Sequence, residues 1–280
     1  MKSPPLERVF WGVFCFFAAV LAVEIFHKVY FPGPSGEIVT DWMKSIIVFC
    51  LCAIYLFWSI GKKKAAVFLA ITLSISFLLE LIGVTAGYPL GVTYSYDESF
   101  SPIGFMGLPI IVPINWAVIN ILGYGIVTSI LALSGGKKPN ADWRKISIVL
   151  LILLDALVVT AMDVILDPLR VAQGAWVWEY GGPFYGVPIS NYVGWIVVAA
   201  ISIGIFRIIE YRKPGDDKVI GGKISVMPPV IYMLIAGYLV ISAADLGMLD
   251  VALIGLLATL PAPVVNIMLY LRSVKRFTAK

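Results

Sequence analysis

Asp163 and Asp167 stand four residues apart inside an apolar run, VVTAMDVILDPL. On a helix this spacing puts both carboxyls on one face, and Asp155 lies on the same stripe two turns earlier. Pro168 directly follows Asp167 and biases it away from helical geometry. Asp163 is therefore the stronger candidate for an acid within a helix, with Asp167 expected to cap or border the site. Glu80 closes another apolar run and begins the series Gly83, Gly87, Gly91, a spacing that allows close helix packing. An ionisable group inside a membrane span is costly and marks a functional site by default. Two carboxyls sharing a dry pocket do not readily both ionise, so one keeps its proton near neutral pH as a general acid and the other acts as base. Glu80, Asp163 and Asp167 are the candidate catalytic residues. Glu24, Asp245 and Asp250 read instead as markers of helix ends.

Aromatic pairs sit beside these acids. Tyr94 and Tyr96 follow Glu80, and Trp176 and Trp178 follow Asp167. Aromatic faces stabilise a cation and cover an apolar ligand. These four residues and Trp116 are the candidate substrate-binding aromatics. Asn115, Asn191 and Gln173 are polar groups near the same level that could position a water or satisfy loop backbone. Other chemistries lack their residues. There is no P-loop, no GxGxxG after a strand and no GxSxG elbow, and His27 is the sole histidine. Cys15, Cys50 and Cys52 lie in apolar runs and read as buried thiols, not as a metal or disulfide framework.

The elements that must hold these residues are membrane helices. Of 280 residues, 60% are hydrophobic and 14% charged, and mean hydropathy is +0.94. A water-facing surface carries about 25% charged residues. Runs long enough to cross a bilayer fall at about 9–30, 42–60, 65–87, 109–133, 146–166, 189–207, 227–245 and 251–271. The fold class is all-α: a single transmembrane domain over 1–280 of about eight helices, with a catalytic core over 70–200. The turn from Asp245 to Asp250 is the least secure division. Of 21 Lys and Arg, all but Lys28, Lys44 and Arg170 fall at the termini or in the second, fourth and sixth connections. The positive-inside rule then predicts a multi-pass cell-membrane protein with both termini cytoplasmic. These basic residues are topology signals, so no nucleic-acid partner is expected.

The two long outer connections, about 88–108 and 168–188, resemble each other. Each follows an acid with an aromatic-x-aromatic pair and re-enters with Gly-x-Pro-Ile, and in each a Trp follows the Pro by seven residues, at Trp116 and Trp195. The segments are apolar enough to dip back into the protein. They predict a parallel repeat of spans 3–4 and 5–6 that would bring Glu80 and Asp163 to one interface.

Three segments carry a family resemblance: ELIGVTAGYPLGVTYSY from Glu80, GLPIIVPINW from Gly107, and DVILDPLRVAQGAWVWEYGGPFYGVPISNYVGW from Asp163. Together they resemble the carotenoid-biosynthesis membrane proteins, a family that includes bisanhydrobacterioruberin hydratase and the gamma-carotene hydratases. The resemblance covers roughly 70–200, and Arg170 departs from it as a charge where an apolar residue is expected. It implies addition of water across the terminal C=C of an acyclic carotenoid end group, giving a tertiary alcohol without cofactor or metal. The implied partners are a membrane-embedded polyene, the bilayer, and other enzymes of carotenoid synthesis. Asp163 or Glu80 would donate the proton and the other would orient water. Two further readings stand beside it. Asp-x-x-x-Asp is also the Mg²⁺-diphosphate motif of intramembrane prenyltransferases, although a diphosphate pocket wants more basic residues than the outer side offers. Intramembrane acids also suit a proton-coupled lipid or small-molecule carrier, although the inner halves of these spans offer little polar path.

Overall fold

A computed structural model of the protein describes residues 5–31, 39–87, 93–97, 103–134, 141–212 and 222–278. The helices in chain order are α1 (Pro5–Tyr30), α2 (Asp41–Ile60), α3 (Lys62–Ala86), α4 (Ile111–Leu133), α5 (Ala141–Ala172), α6 (Ile189–Arg212), α7 (Met227–Asp245), α8 (Leu249–Thr259) and α9 (Pro261–Thr278). Four short strands join them: β1 (Tyr94–Tyr96), β2 (Gly104–Phe105), β3 (Leu108–Pro109) and β4 (Trp176–Trp178). Among the described residues, seven helices are long and apolar enough to cross a membrane. An eighth span arises when α8 and α9, bent by 41° at Leu260, count as one. This is a multi-pass membrane protein of seven to eight spans, as composition predicts. The weak division at Asp245 is a real turn, with Gly247 at a φ of 76°.

The centre is a four-helix core in which α3 packs on α4 and α6, and α5 packs on α4 and α6. Helices α1, α2, α7, α8 and α9 surround it. The most enclosed span is α4, with 72% of its membrane window buried. Small residues let helices approach α4 and α5 closely. A Cβ on Gly123 would lie 2.9 Å from Val159, and one on Gly255 would lie 2.5 Å from Ile165.

The structure departs from the sequence reading at two of these elements. Pro168 does not end α5, which continues through it to Ala172, so Asp167 is a helical residue. A membrane helix tolerates such a proline because neighbouring side chains and local adjustments re-satisfy the freed backbone. The glycine series after Glu80 is also no packing stripe. Gly83 lies under the Tyr94 ring, where a Cβ would come 2.6 Å from the hydroxyl. Gly87 is the left-handed cap of α3 at a φ of 69°, and Gly91 lies outside the described residues.

The two long connections meet. β1 pairs antiparallel with β4, in the register Tyr94↔Trp178, Ser95↔Val177, Tyr96↔Trp176. The backbone N–H groups of Asp97 and Glu179 extend the ladder by donating to Ala175 and Thr93. This register is symmetric about the Ser95–Val177 pair, as two equivalent segments around a two-fold axis would be.

Candidate active site

Strand alternation places Tyr94, Tyr96, Trp176 and Trp178 on one face of the β1–β4 ribbon and leaves Ser95 and Val177 exposed on the other. Tyr94 packs on Trp178 at 5.8 Å and Tyr96 on Trp176 at 5.6 Å between ring centroids. The aromatic face looks onto the end of the four-helix core where the acids lie.

Glu80, on α3, is fully enclosed and accepts from three donors. The Tyr94 and Tyr96 hydroxyls donate to Oε2 at 2.5 and 3.0 Å, and Trp116 Nε1 donates to Oε1 at 2.7 Å. Burial, and next the charge on Glu80, push both tyrosine hydroxyls well above their ordinary range. The tyrosines therefore stay protonated donors. Asp167, on α5, has a matching arrangement from the other half of the core. Its Oδ2 accepts from Asn191 Nδ2 at 2.5 Å and from Trp195 Nε1 at 2.9 Å. The two indoles that serve the two carboxylates pack against each other, tilted by 41° with centroids 4.2 Å apart.

Asp163 is different. It is 2% exposed, and its Oδ2 has no hydrogen-bond partner among the described residues. The three carboxyl groups lie within electrostatic range of one another. Tyr232 of α7 also lies within range of Asp163, and its hydroxyl donates to the Val158 carbonyl at 2.8 Å. Three acids thus lie together beneath a roof of aromatic rings, two of them held by at least two donors each and one with an unpartnered oxygen.

The sequence profile of carotenoid biosynthesis proteins matches residues 40–261. The chain belongs to the carotenoid biosynthesis protein family. The matched region runs from the start of α2 to the start of α9 and holds every residue of this site. A relative named bisanhydrobacterioruberin hydratase, from Haloarcula japonica, is 29% identical over 147 residues. That match spans 52% of this chain and 46% of the relative, about half the length of each. No solved structure matches the chain.

Of the residues singled out in this carotenoid biosynthesis protein, the structure brings together Glu80, Asp163, Asp167, Tyr94, Tyr96, Trp116, Trp176, Trp178 and Asn191. Asn115 is half-buried on α4 and makes no hydrogen bond to any of the three carboxyls. Gln173 serves structure by accepting from Arg170 at 2.9 Å. Arg170, the family departure, ion-pairs with Asp41 at the start of α2, and Lys44 bridges the same aspartate and Tyr238. Glu24, Asp245 and Asp250 are bound at helix ends by Val39 N–H, Lys28 and Tyr185 respectively.

Trp195 is the donor that sequence reading left out. Its signal was present, since it occupies the position in the second re-entry motif that Trp116 occupies in the first. Sequence spacing also pairs Glu80 with the wrong aspartate. By hydrogen bonding, the counterpart of Glu80–Trp116 is Asp167–Trp195, and Asp163 has no counterpart in the first half.

Proposed function

We propose that this protein adds water across the terminal carbon–carbon double bond of an acyclic carotenoid end group. The observation that carries the reading is the unequal treatment of the three buried acids. Donors converging on Glu80 and Asp167 favour their carboxylate forms. Asp163, beside both and with an unpartnered oxygen, is then the one to hold a proton.

Hydration of a trisubstituted alkene uses that asymmetry directly. The π pair takes the Asp163 proton at the less substituted carbon, forming a C–H bond and leaving a tertiary cation. The Tyr94, Tyr96, Trp176 and Trp178 faces and the nearby carboxylates stabilise the cation. A water oxygen forms the C–O bond and yields its proton to Glu80 or Asp167. Return of that proton to Asp163 closes the cycle, and the net change is one water added. The family membership supports a carotenoid as substrate, and the name of the Haloarcula relative supports hydration as its reaction.

Expression in a host that accumulates acyclic carotenoids but lacks a hydratase tests this reading. Pigments gain the mass of one water per reacted end group. No gain with any acyclic carotenoid would sink the assignment. Hydration should also survive EDTA treatment of membranes. Activity lost to EDTA and restored by Mg²⁺ would point to prenyl transfer at Asp163 and Asp167 instead.

A further inference from the structure

Each helix of the four-helix core carries a small polar side chain on the same face as its site residue, one or two turns nearer the opposite end of the bundle. On α3, Ser76 is one turn from Glu80. On α4, Asn120 is one turn from Trp116. On α5, Thr160 is about one turn from Asp163. On α6, Ser202 is two turns from Trp195. Packing sets these residues at one level. Gly123 of α4 faces residues 155–159 of α5, so Asn120, one turn back on the antiparallel α4, faces the turn of Thr160 and Asp163. Between α5 and α6, Ile152 touches Gly204 and Asp167 bonds Trp195, which places Ser202 between the levels of residues 154 and 160.

All four are buried, and all but Ser76 are unsatisfied. Asn120 and Ser202 are 0% exposed and Thr160 is 6% exposed. Both polar atoms of Asn120, Oγ1 of Thr160, Oγ of Ser202 and Oδ2 of Asp163 find no hydrogen-bond partner among the described residues. Ser76 donates to the Thr72 carbonyl at 2.6 Å and keeps its own acceptor capacity. An amide buried with neither its donor nor its acceptor paired is expensive. Proteins meet that cost with internal water, which typically takes about three hydrogen bonds from such groups.

We infer that Ser76, Asn120, Thr160 and Ser202 form an internal water-binding site about one helical turn below the carboxyls, and that it supplies the water consumed at the end group. The first half of this inference stands on the packing alone, and the second rests on the hydration reading. The site lies on the far side of the acids from the aromatic ribbon. Water reaches Asp163 from beneath while the end group lies under the roof. An end-group cation that meets no water has one other exit. It returns a proton from an adjacent carbon to a carboxylate and reforms an alkene.

That alternative gives the experiment. In D₂O the enzyme places deuterium from Asp163 on the alkene carbon, and the cation then either gains D₂O or loses H⁺ to give a deuterated alkene. The Asn120→Leu/Thr160→Val variant is expected to shift the ratio of deuterated alkene to alcohol at least tenfold toward alkene. Both products are read by mass on recovered pigment. An unchanged ratio would overturn the site. Because that variant can misfold, wild-type protein is also irradiated with X-rays in H₂¹⁸O. Radicals form where water is held, so ¹⁸O is expected on buried Tyr232, beside Asp163, and not on Phe10, equally buried on α1. Equal labelling of the two would overturn the water site even if hydration is real. Labelling of Tyr232 without any alcohol from the wild type would uphold the water-binding site and reject its role in hydration.

Discussion

Asp163 carries the largest consequences at the scale of single residues. Asp163→Asn keeps its shape and removes the acid, and hydration is expected to fall by about 10²–10⁴-fold while membrane insertion is unchanged. Retained activity would remove Asp163 as donor. Trp195→Phe takes away one of two donors to Asp167 and is expected to slow hydration by roughly tenfold, in line with the loss of one hydrogen bond to a charged group. Assay of this variant beside Trp116→Phe would show whether the two indoles serve equivalent acids. The acids and the aromatic pairs were legible in sequence because their types are out of place in apolar runs. The pairing of Glu80 with Asp167 was not. Distance along the chain from acid to aromatic pair favours Asp163, but the turn at Gln173–Gly174, with Gly174 at a φ of 72°, is shorter than the connection after α3. Counting residues therefore misplaces the match by one helical turn.

At the scale of elements, Gly83 and Asp155 make separable predictions. Gly83 gives Tyr94 room to cross α3 and reach Glu80, so Gly83→Ala drives the ring off its acceptor. Misplacement of about 1 Å in a catalytic array costs roughly 10²-fold. Activity is expected to fall by that order with normal yield of folded protein in detergent. Asp155 acts elsewhere. Its carboxylate holds Arg207 by two hydrogen bonds of 2.8 and 2.9 Å, fully buried between α5 and α6, with the guanidinium 4.2 Å from the Tyr124 ring. Asp155→Asn removes the bidentate partner and leaves Arg207 only the looser pair with Glu210 at 3.8 Å, so it is expected to cost up to about 3 kcal/mol, read as a fall in thermal unfolding temperature. Replacing both partners with leucine should recover much of the loss. Asp155 shares a helical stripe with Asp163 in the sequence, and nothing in the spacing separates the structural acid from the site acid. Arg207, twelve residues beyond the last motif residue Trp195, decides it.

For the whole molecule, helix number and order were readable because a bilayer demands long apolar runs and little else satisfies backbone polar groups inside it. The helix through Pro168 and the bend at Leu260 were not readable, because both depend on neighbours packed around them. The charge distribution further predicts that both ends face the cytoplasm. Fusion of a cytoplasm-active reporter to either terminus should be active, and a periplasm-dependent reporter there should be silent. The reverse result would place the aromatic ribbon and its acids on the cytoplasmic side.

The β1–β4 ladder ties the two long connections together by backbone hydrogen bonds along residues 93–97 and 175–179. A roof sewn along its seam is not a door. On the proposed hydration, substrate would therefore come in edgewise from the lipid, between helices, with only its tip under the ribbon and its remaining length still in the bilayer. Such an enzyme reads the tip of the polyene and is blind to the rest. Polyenes that share an end group but differ in length should be hydrated at similar rates. Membrane thickness and acyl-chain order, which govern how a long rod tilts into a side entrance, should alter that rate more than polyene length does.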